Sequence, residues 1–130
     1  MNTNLILIAD DDADTRDVLT VALEQAGYQT LGVNRGATAA RLLTVAKPVG
    51  LITDVRMPDM NGMELCRLAR RQPATADVAI VMISASYHDH DVDAGLRAGA
   101  DRYLAKPLSP RQLVTELHNA ISERYQFSAA

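Results

Sequence analysis

The sequence predicts an α/β fold in which a doubly wound parallel sheet carries helices on both faces, and three observations lead there. Short uninterrupted apolar runs, at residues 5–9 and 78–83, have the character of strands buried on both faces. Between such runs, apolar residues recur at helical spacing, so that strand and helix signals alternate along the chain. Each strand-helix unit takes roughly 25 residues, which requires parallel pairing through right-handed crossovers.

Taken in order, strand one covers residues 5–9 and stops at Asp10. From Asp14, the residues Val18, Leu19, Ala22, Leu23 and Ala26 repeat at helical spacing, and Gly27 stands where a left-handed cap would end helix one. A weaker strand spans 28–33. Helix two spans 37–46 with Leu42, Leu43 and Ala46 on one face, and Lys47-Pro48 ends it. Strand three, 49–53, runs into Asp54. The turn Met57-Pro58-Asp59-Met60-Asn61-Gly62 leads to helix three at 63–71, where Leu65, Cys66 and Leu68 are spaced for burial before Pro73 breaks the pattern. Strand four is 78–83, a polar helix at 88–98 closes at Gly99, and strand five is 102–105. Ser109-Pro110-Arg111-Gln112 reads as a capping box with proline at the first helical position. Leu113, Leu117, Ala120 and Ile121 make helix five amphipathic; it is expected to stop at Tyr125. One domain is expected over residues 1–130, with a core at 4–125 and a short tail at 126–130.

Composition narrows the function. Thirteen Lys and Arg against sixteen Asp and Glu give a net charge of −3, with no basic footprint for direct binding of nucleic acid or an anionic membrane. No apolar run approaches the roughly 20 residues that span a bilayer. The single cysteine, Cys66, cannot form an intramolecular disulfide and reads as a core residue, and the expected compartment is a reducing cytoplasm.

In open parallel sheets the site lies outside the carboxyl ends of the strands. The residues that follow each apolar run are Asp10, Asp11 and Asp12 after strand one, Asp54 after strand three, Ser84 after strand four and Lys106 after strand five. Strand two offers Asn34 and Arg35, which fit a plain turn. Converging carboxylates repel one another unless a cation or raised pKa values relieve them. All-oxygen ligands with room for water suit Mg2+ better than zinc. Mg2+ beside a carboxylate, a lysine and a hydroxyl is an arrangement for phosphoryl transfer, with Asp54, alone at the middle of the sheet, as the nucleophile.

Together these residues resemble the receiver domain of two-component response regulators, of the CheY-like kind, over roughly residues 4–125. The motifs are Ile6-Leu7-Ile8-Ala9-Asp10-Asp11-Asp12, Asp54-Val55-Arg56-Met57-Pro58-Asp59-Met60-Asn61-Gly62, Ile83-Ser84-Ala85 and Tyr103-Leu104-Ala105-Lys106-Pro107, with 30 residues from Asp54 to Ser84 and 22 from Ser84 to Lys106. The resemblance implies a flavodoxin-like (βα)5 sandwich with strand order 2-1-3-4-5. It implies that Asp54 accepts a phosphoryl group from a sensor histidine kinase or phosphotransfer protein. Asp11 and Asp54 would ligate Mg2+ directly, Asp10 mainly through water, and Arg56 by its backbone carbonyl. Ser84 would hydrogen-bond one phosphoryl oxygen, Lys106 would pair with another, and Tyr103 would change rotamer on activation. A cis Lys106-Pro107 bond is implied. Leu108 departs from the usual phenylalanine, and Ala9 from a common valine. The output would be a downstream target protein or output domain, with a phosphorylation-dependent homodimer possible, through the face of helix four, strand five and helix five that includes Arg97, Arg102 and Arg111. The chain would be a switch that catalyses only its own phosphorylation and dephosphorylation. Arg56 and Ser86, two residues beyond Asp54 and Ser84, occupy positions that gate attacking water in receivers; neither orients water well, which implies a phosphoryl lifetime of minutes or longer.

Blander readings stand beside these. Acids after a strand also cap helices, and Asp10 to Asp14 precede helix one. Tyr103 on a strand is by default a packing aromatic. His88-Asp89-His90-Asp91 fits a solvated loop better than a metal site, since alternating residues at a helix start diverge. Asp12-Ala13-Asp14-Thr15 resembles the motif of haloacid-dehalogenase-like aspartyl phosphatases, but no aspartate follows Lys106 and no cap segment fits. A calcium loop starting at Asp10 fails because Thr15 replaces the glycine and Val21 the glutamate. A receiver-like binding module that is never phosphorylated is disfavoured by the intact Asp10, Asp11, Asp54, Ser84 and Lys106 set.

Overall fold

The computed structural model describes residues 4–86 and 88–128. Ten elements alternate: β1 (Leu5–Ala9), α1 (Ala13–Gln25), β2 (Gln29–Val33), α2 (Gly36–Ala46), β3 (Gly50–Asp54), α3 (Gly62–Arg71), β4 (Ala79–Ser84), α4 (Asp89–Ala98), β5 (Arg102–Ala105) and α5 (Pro110–Ser128). The strands form one sheet in the order β2-β1-β3-β4-β5, every pair parallel. This is the doubly wound α/β fold that the alternation predicts.

Successive side chains of a strand point to opposite faces, so each central strand feeds two cores. Leu7, Leu51, Ile80 and Met82 pack with Leu43, Leu65 and Cys66 on one face. Ile6, Ile8, Ile52, Val81 and Ile83 pack with Leu19, Leu23, Leu113 and Leu117 on the other. Side chains buried this completely contribute roughly 1.5–3 kcal/mol each. The edge strand β2 has only one neighbour and exposes Gln29, Leu31 and Gly32, which is why its sequence signal is weak.

Element bounds agree with the sequence reading within one residue, except at the end of α5. That helix continues past Tyr125 to Ser128, so most of the expected tail is helical; residues 129 and 130 lie outside the described residues. Two expected core residues of α1 are solvent-facing: Val18 is 51% exposed and Ala26 is exposed, because only Leu19 and Leu23 of this helix are buried. At Ser109 the hydroxyl accepts the Gln112 N–H at 3.2 Å, as a cap requires. A full capping box stands instead at α3, where the Asn61 side chain accepts the Glu64 N–H and the Glu64 carboxylate accepts the Asn61 N–H.

Candidate functional site

The carboxyl ends of β1, β3, β4 and β5 bring Asp10, Asp54, Ser84 and Lys106 into one recess. Asp10, directly after β1, is wholly buried; Asp54 ends β3 at 7% exposure and Ser84 ends β4 at 3%. One carboxylate oxygen from each of Asp10, Asp11 and Asp54 lies within 4.8 Å of the others, with Asp11 the exposed member. The Lys106 ammonium stands 3.0 Å from Asp54 Oδ2 and 3.2 Å from Asp10 Oδ2. The Lys106-Pro107 peptide is cis.

Backbone contacts fix these acids. Arg16 of α1 donates from Nη1 to the Asp10 carbonyl at 2.7 Å, and Asp10 Oδ1 accepts the Asp12 N–H at 2.9 Å. Asp54 Oδ1 accepts the Arg56 N–H at 3.4 Å. Gly62 has no side chain because none fits: a Cβ there would lie 2.3 Å from the Asp54 carbonyl oxygen. The loop between β3 and α3 is tied down further by Asp59, whose carboxylate accepts the Gly36 and Ala37 N–H groups at 2.9 and 3.0 Å. It thereby caps α2 from another part of the chain, and those bonds hold its carboxyl below the usual range.

Asp12 goes the other way. It is the N-cap of α1, accepting the Thr15 N–H at 3.3 Å and the Thr15 hydroxyl at 2.5 Å. The acid run therefore divides, with Asp10 and Asp11 in the cluster and Asp12 on the helix.

The electrostatics fit a divalent cation. Burial is the main reason the Asp10 carboxyl is pushed above its usual range, and the Asp54 charge adds to it. Asp10 Oδ2 is a buried acceptor without a well-formed hydrogen bond; the Lys106 ammonium at 3.2 Å is its ion-pair neighbour. Burial also works against the Lys106 ammonium, but its bonds to Asp54 and Asp10 outweigh that and hold it above the usual lysine range. Two of the three clustered acids share one ammonium, and the orphaned oxygen with its all-oxygen neighbours suits a hard metal ion.

On the far side of the recess, Ser84 Oγ accepts the Ser86 N–H at 3.0 Å, and Ser86 Oγ donates to Asp91 at 2.5 Å. Tyr103 is buried, and its hydroxyl donates to the Ser86 carbonyl at 2.7 Å. A Cβ on Gly95 would lie 2.6 Å from the Tyr103 ring, so α4 sits directly against it. Asp54, Arg56, Ser84, Ala85, Ser86, His88 and Lys106 line an open space of about 390 Å³.

His88 and His90 are exposed, as expected of a solvated segment, and His88 is the extended N-cap of α4. The two rings stack with centroids 5.7 Å apart and planes 6° from parallel, so the alternating histidines do not diverge as expected. Of the three arginines expected on the α4-β5-α5 face, Arg102 is bound to Glu116 and Glu123 of α5, both at 2.8 Å. Arg97 pairs with Asp93 within α4, and Arg111 is exposed.

The response regulator receiver domain family matches residues 6–118. The transcriptional regulatory protein GltR of Pseudomonas aeruginosa is 39% identical over 127 residues, which cover 98% of this chain and 52% of that protein. The phosphate regulon transcriptional regulatory protein PhoB of the same organism is 39% identical over 112 residues, covering 86% and 49%. The chain thus spans about half the length of these relatives. Among solved structures, a CheY-like response regulator receiver domain protein from Methanospirillum hungatei superposes with a TM-score of 0.88 at 26% identity, covering 96% of this chain and 98% of that one. Among the described residues no helix is long and apolar enough to cross a membrane. The chain belongs to the response regulator receiver domain family, the switch module of two-component signalling.

Proposed function

We propose that Asp54 is the phosphoacceptor and that Mg2+ is the metal, held by Asp10, Asp11, Asp54 and the backbone carbonyl of Arg56. The observation that carries this is a nearly buried carboxylate at the end of the central strand, with an ammonium at 3.0 Å and two further acids within 4.8 Å. An Asp54 carboxylate oxygen attacks the phosphorus of a phosphohistidine on a sensor kinase or phosphotransfer protein, and the phosphorus–nitrogen bond breaks. Bound Mg2+ would offset charge on the transferring group. Lys106 exchanges its Asp54 contact for a phosphoryl oxygen, and Ser84 donates its hydroxyl to another.

The same reading sets the output. Two hydrogen bonds on one residue, from the Ser86 N–H to Ser84 Oγ and from the Tyr103 hydroxyl to the Ser86 carbonyl, join the recess to β5. Movement of Ser84 toward the phosphoryl group pulls that residue. With Tyr103 already inside, phosphorylation acts by fixing the loop rather than by drawing in the ring. The α4-β5-α5 face then presents a changed surface to a target protein, an output domain or a second copy. We infer one cytoplasmic receiver domain that catalyses only its own phosphorylation and dephosphorylation. GltR and PhoB are named as transcriptional regulators, which favours an output in transcription through another module.

The test is a small phosphodonor with Mg2+, read by intact-mass spectrometry. One added phosphoryl group is expected, and none on Asp54→Asn; equal labelling of that variant overturns the assignment.

A further inference from the structure

Among the described residues, the recess beside Asp54 contains one uncommitted proton acceptor that the phosphoacceptor chemistry leaves unused. Of the seven described residues that line it, Asp54 takes the phosphoryl group, Ala85 is apolar, and Arg56 and Lys106 are cations. Ser84 accepts the Ser86 N–H, and Ser86 gives its hydroxyl to Asp91. The seventh is His88. It sits at the N-cap of α4 without a side-chain capping bond, and among the described residues its ring has no hydrogen-bonded partner. Stacking on His90 restrains the ring. It is exposed, so water reaches it.

Hydrolysis of an acyl phosphate needs a water placed on phosphorus opposite the leaving carboxylate and somewhere for the water's proton to go. Arginine and lysine carry no acceptor, and the Ser86 hydroxyl is committed. A neutral imidazole carries a ring nitrogen that can accept a proton and pass it on. From this inventory we infer that His88 is a catalytic residue for dephosphorylation, acting as general base on the attacking water. The water oxygen bonds to phosphorus while the bond from phosphorus to the Asp54 carboxyl oxygen breaks. Asp54 departs with that electron pair as a carboxylate. The water's proton passes to the imidazole and then to solvent, and inorganic phosphate leaves. This inference rests on Asp54 being the phosphoacceptor, and it adds His88 to Arg56 and Ser86 as a determinant of lifetime.

The experiment loads the full chain from a radiolabelled small phosphodonor with Mg2+, removes the donor and follows loss of label in wild type, His88→Ala and His88→Gln. Both variants are expected to load fully and to bind the ground-state mimic beryllofluoride as wild type does. Their phosphoryl lifetimes are expected to lengthen by about tenfold, below the ~10²–10⁴ of a sequestered base because bulk water competes at an exposed ring. Free imidazole should restore the rate of His88→Ala and leave wild type unchanged. Because His88 has no capping bond to lose, matching urea midpoints are expected and separate this effect from unfolding. An unchanged lifetime in His88→Ala, a wild-type rate in His88→Gln, or acceleration of wild type and variant alike by imidazole overturns the base. A wild type that takes no label overturns the Asp54 reading and this inference with it.

Discussion

Two ion clusters occupy opposite ends of the same sheet, and they are built on opposite terms. At the amino ends of β4 and β5, the Asp101 carboxylate accepts the Ile80 N–H at 2.9 Å, meets Arg70 at 3.2 Å and is bound by Arg124 through Oδ1 at 2.7 Å. Arg70 also donates to the carbonyls of Ala76, Val78 and Gly99. At the carboxyl ends, Asp10 and Asp54 share one ammonium with Asp11 beside them, and a buried oxygen is left without a well-formed hydrogen bond. The first cluster is saturated, and that makes it a fixed joint between α3, β4, β5 and α5. The second retains unspent electrostatic potential, and that makes it a site. Charge burial alone does not separate structure from function; the state of the hydrogen bonds does.

The contrast is sharpest at Asp101. Its replacement in Asp101→Ala removes the carboxylate that two half-buried guanidiniums share and takes the acceptor from the Ile80 N–H, and is expected to cost about 3–5 kcal/mol, read as a lower urea midpoint. Phosphoryl uptake by the folded fraction should persist. A stability loss below about 1 kcal/mol would show that the joint is no stronger than a surface pair.

Asp10 should behave in reverse. In Asp10→Asn without divalent cations, a buried and underpaired charge disappears, so stability is expected to hold or rise by about 1 kcal/mol while Mg2+ binding falls. The pH dependence has a definite sign. Because burial raises the folded-state pKa of Asp10 above its unfolded value, its contribution is fully present below about pH 4 and is lost as pH rises through the folded value. Urea midpoints from pH 3.5 upward, taken with a chelator, should therefore slope less steeply downward in the variant, and equal slopes would remove Asp10 from the argument.

The smallest effect is expected at Asp59, an acid near the site that is satisfied in the manner of the far end. Asp59→Ala should lower Tm by a few degrees. Backbone N–H bonds hold the Asp59 carboxyl below its usual range, so the stabilisation is present above the unfolded pKa and fades as pH falls through the folded one. If wild type and Asp59→Ala melt alike at pH 7, Asp59 does not cap α2 in solution.

How far the sequence discloses this molecule depends on whether a feature is local. Central strands are buried on both faces and announce themselves as unbroken apolar runs, as in β1 and β4; the edge strand β2, with one covered side, does not. The strand-end residues Asp10, Asp54, Ser84 and Lys106 are legible because parallel topology carries strand ends to one place. Val18 misled because helical spacing gives the direction of a stripe without its width. The Asn61–Glu64 box was there to be read, as a cap residue followed three positions later by glutamate. The bond from Asp59 to Gly36 crosses 23 residues, and the presence of His88 in the recess exists only once α4 is packed, so neither leaves a local signature.

The double attachment of the β3–α3 loop bears on how receivers are recombined. Surface loops ordinarily accept insertions and exchanges. This one is pinned under the Asp54 carbonyl at Gly62 and on the start of α2 by Asp59, and Met60 lies where a Cβ of residue 36 would go, at 2.5 Å. A chimera that transplants residues 55–61 alone would bring a foreign loop to a helix start shaped for the original. The portable unit is discontinuous, the loop together with Gly36 and Ala37, and a graft that respects it carries its geometry along.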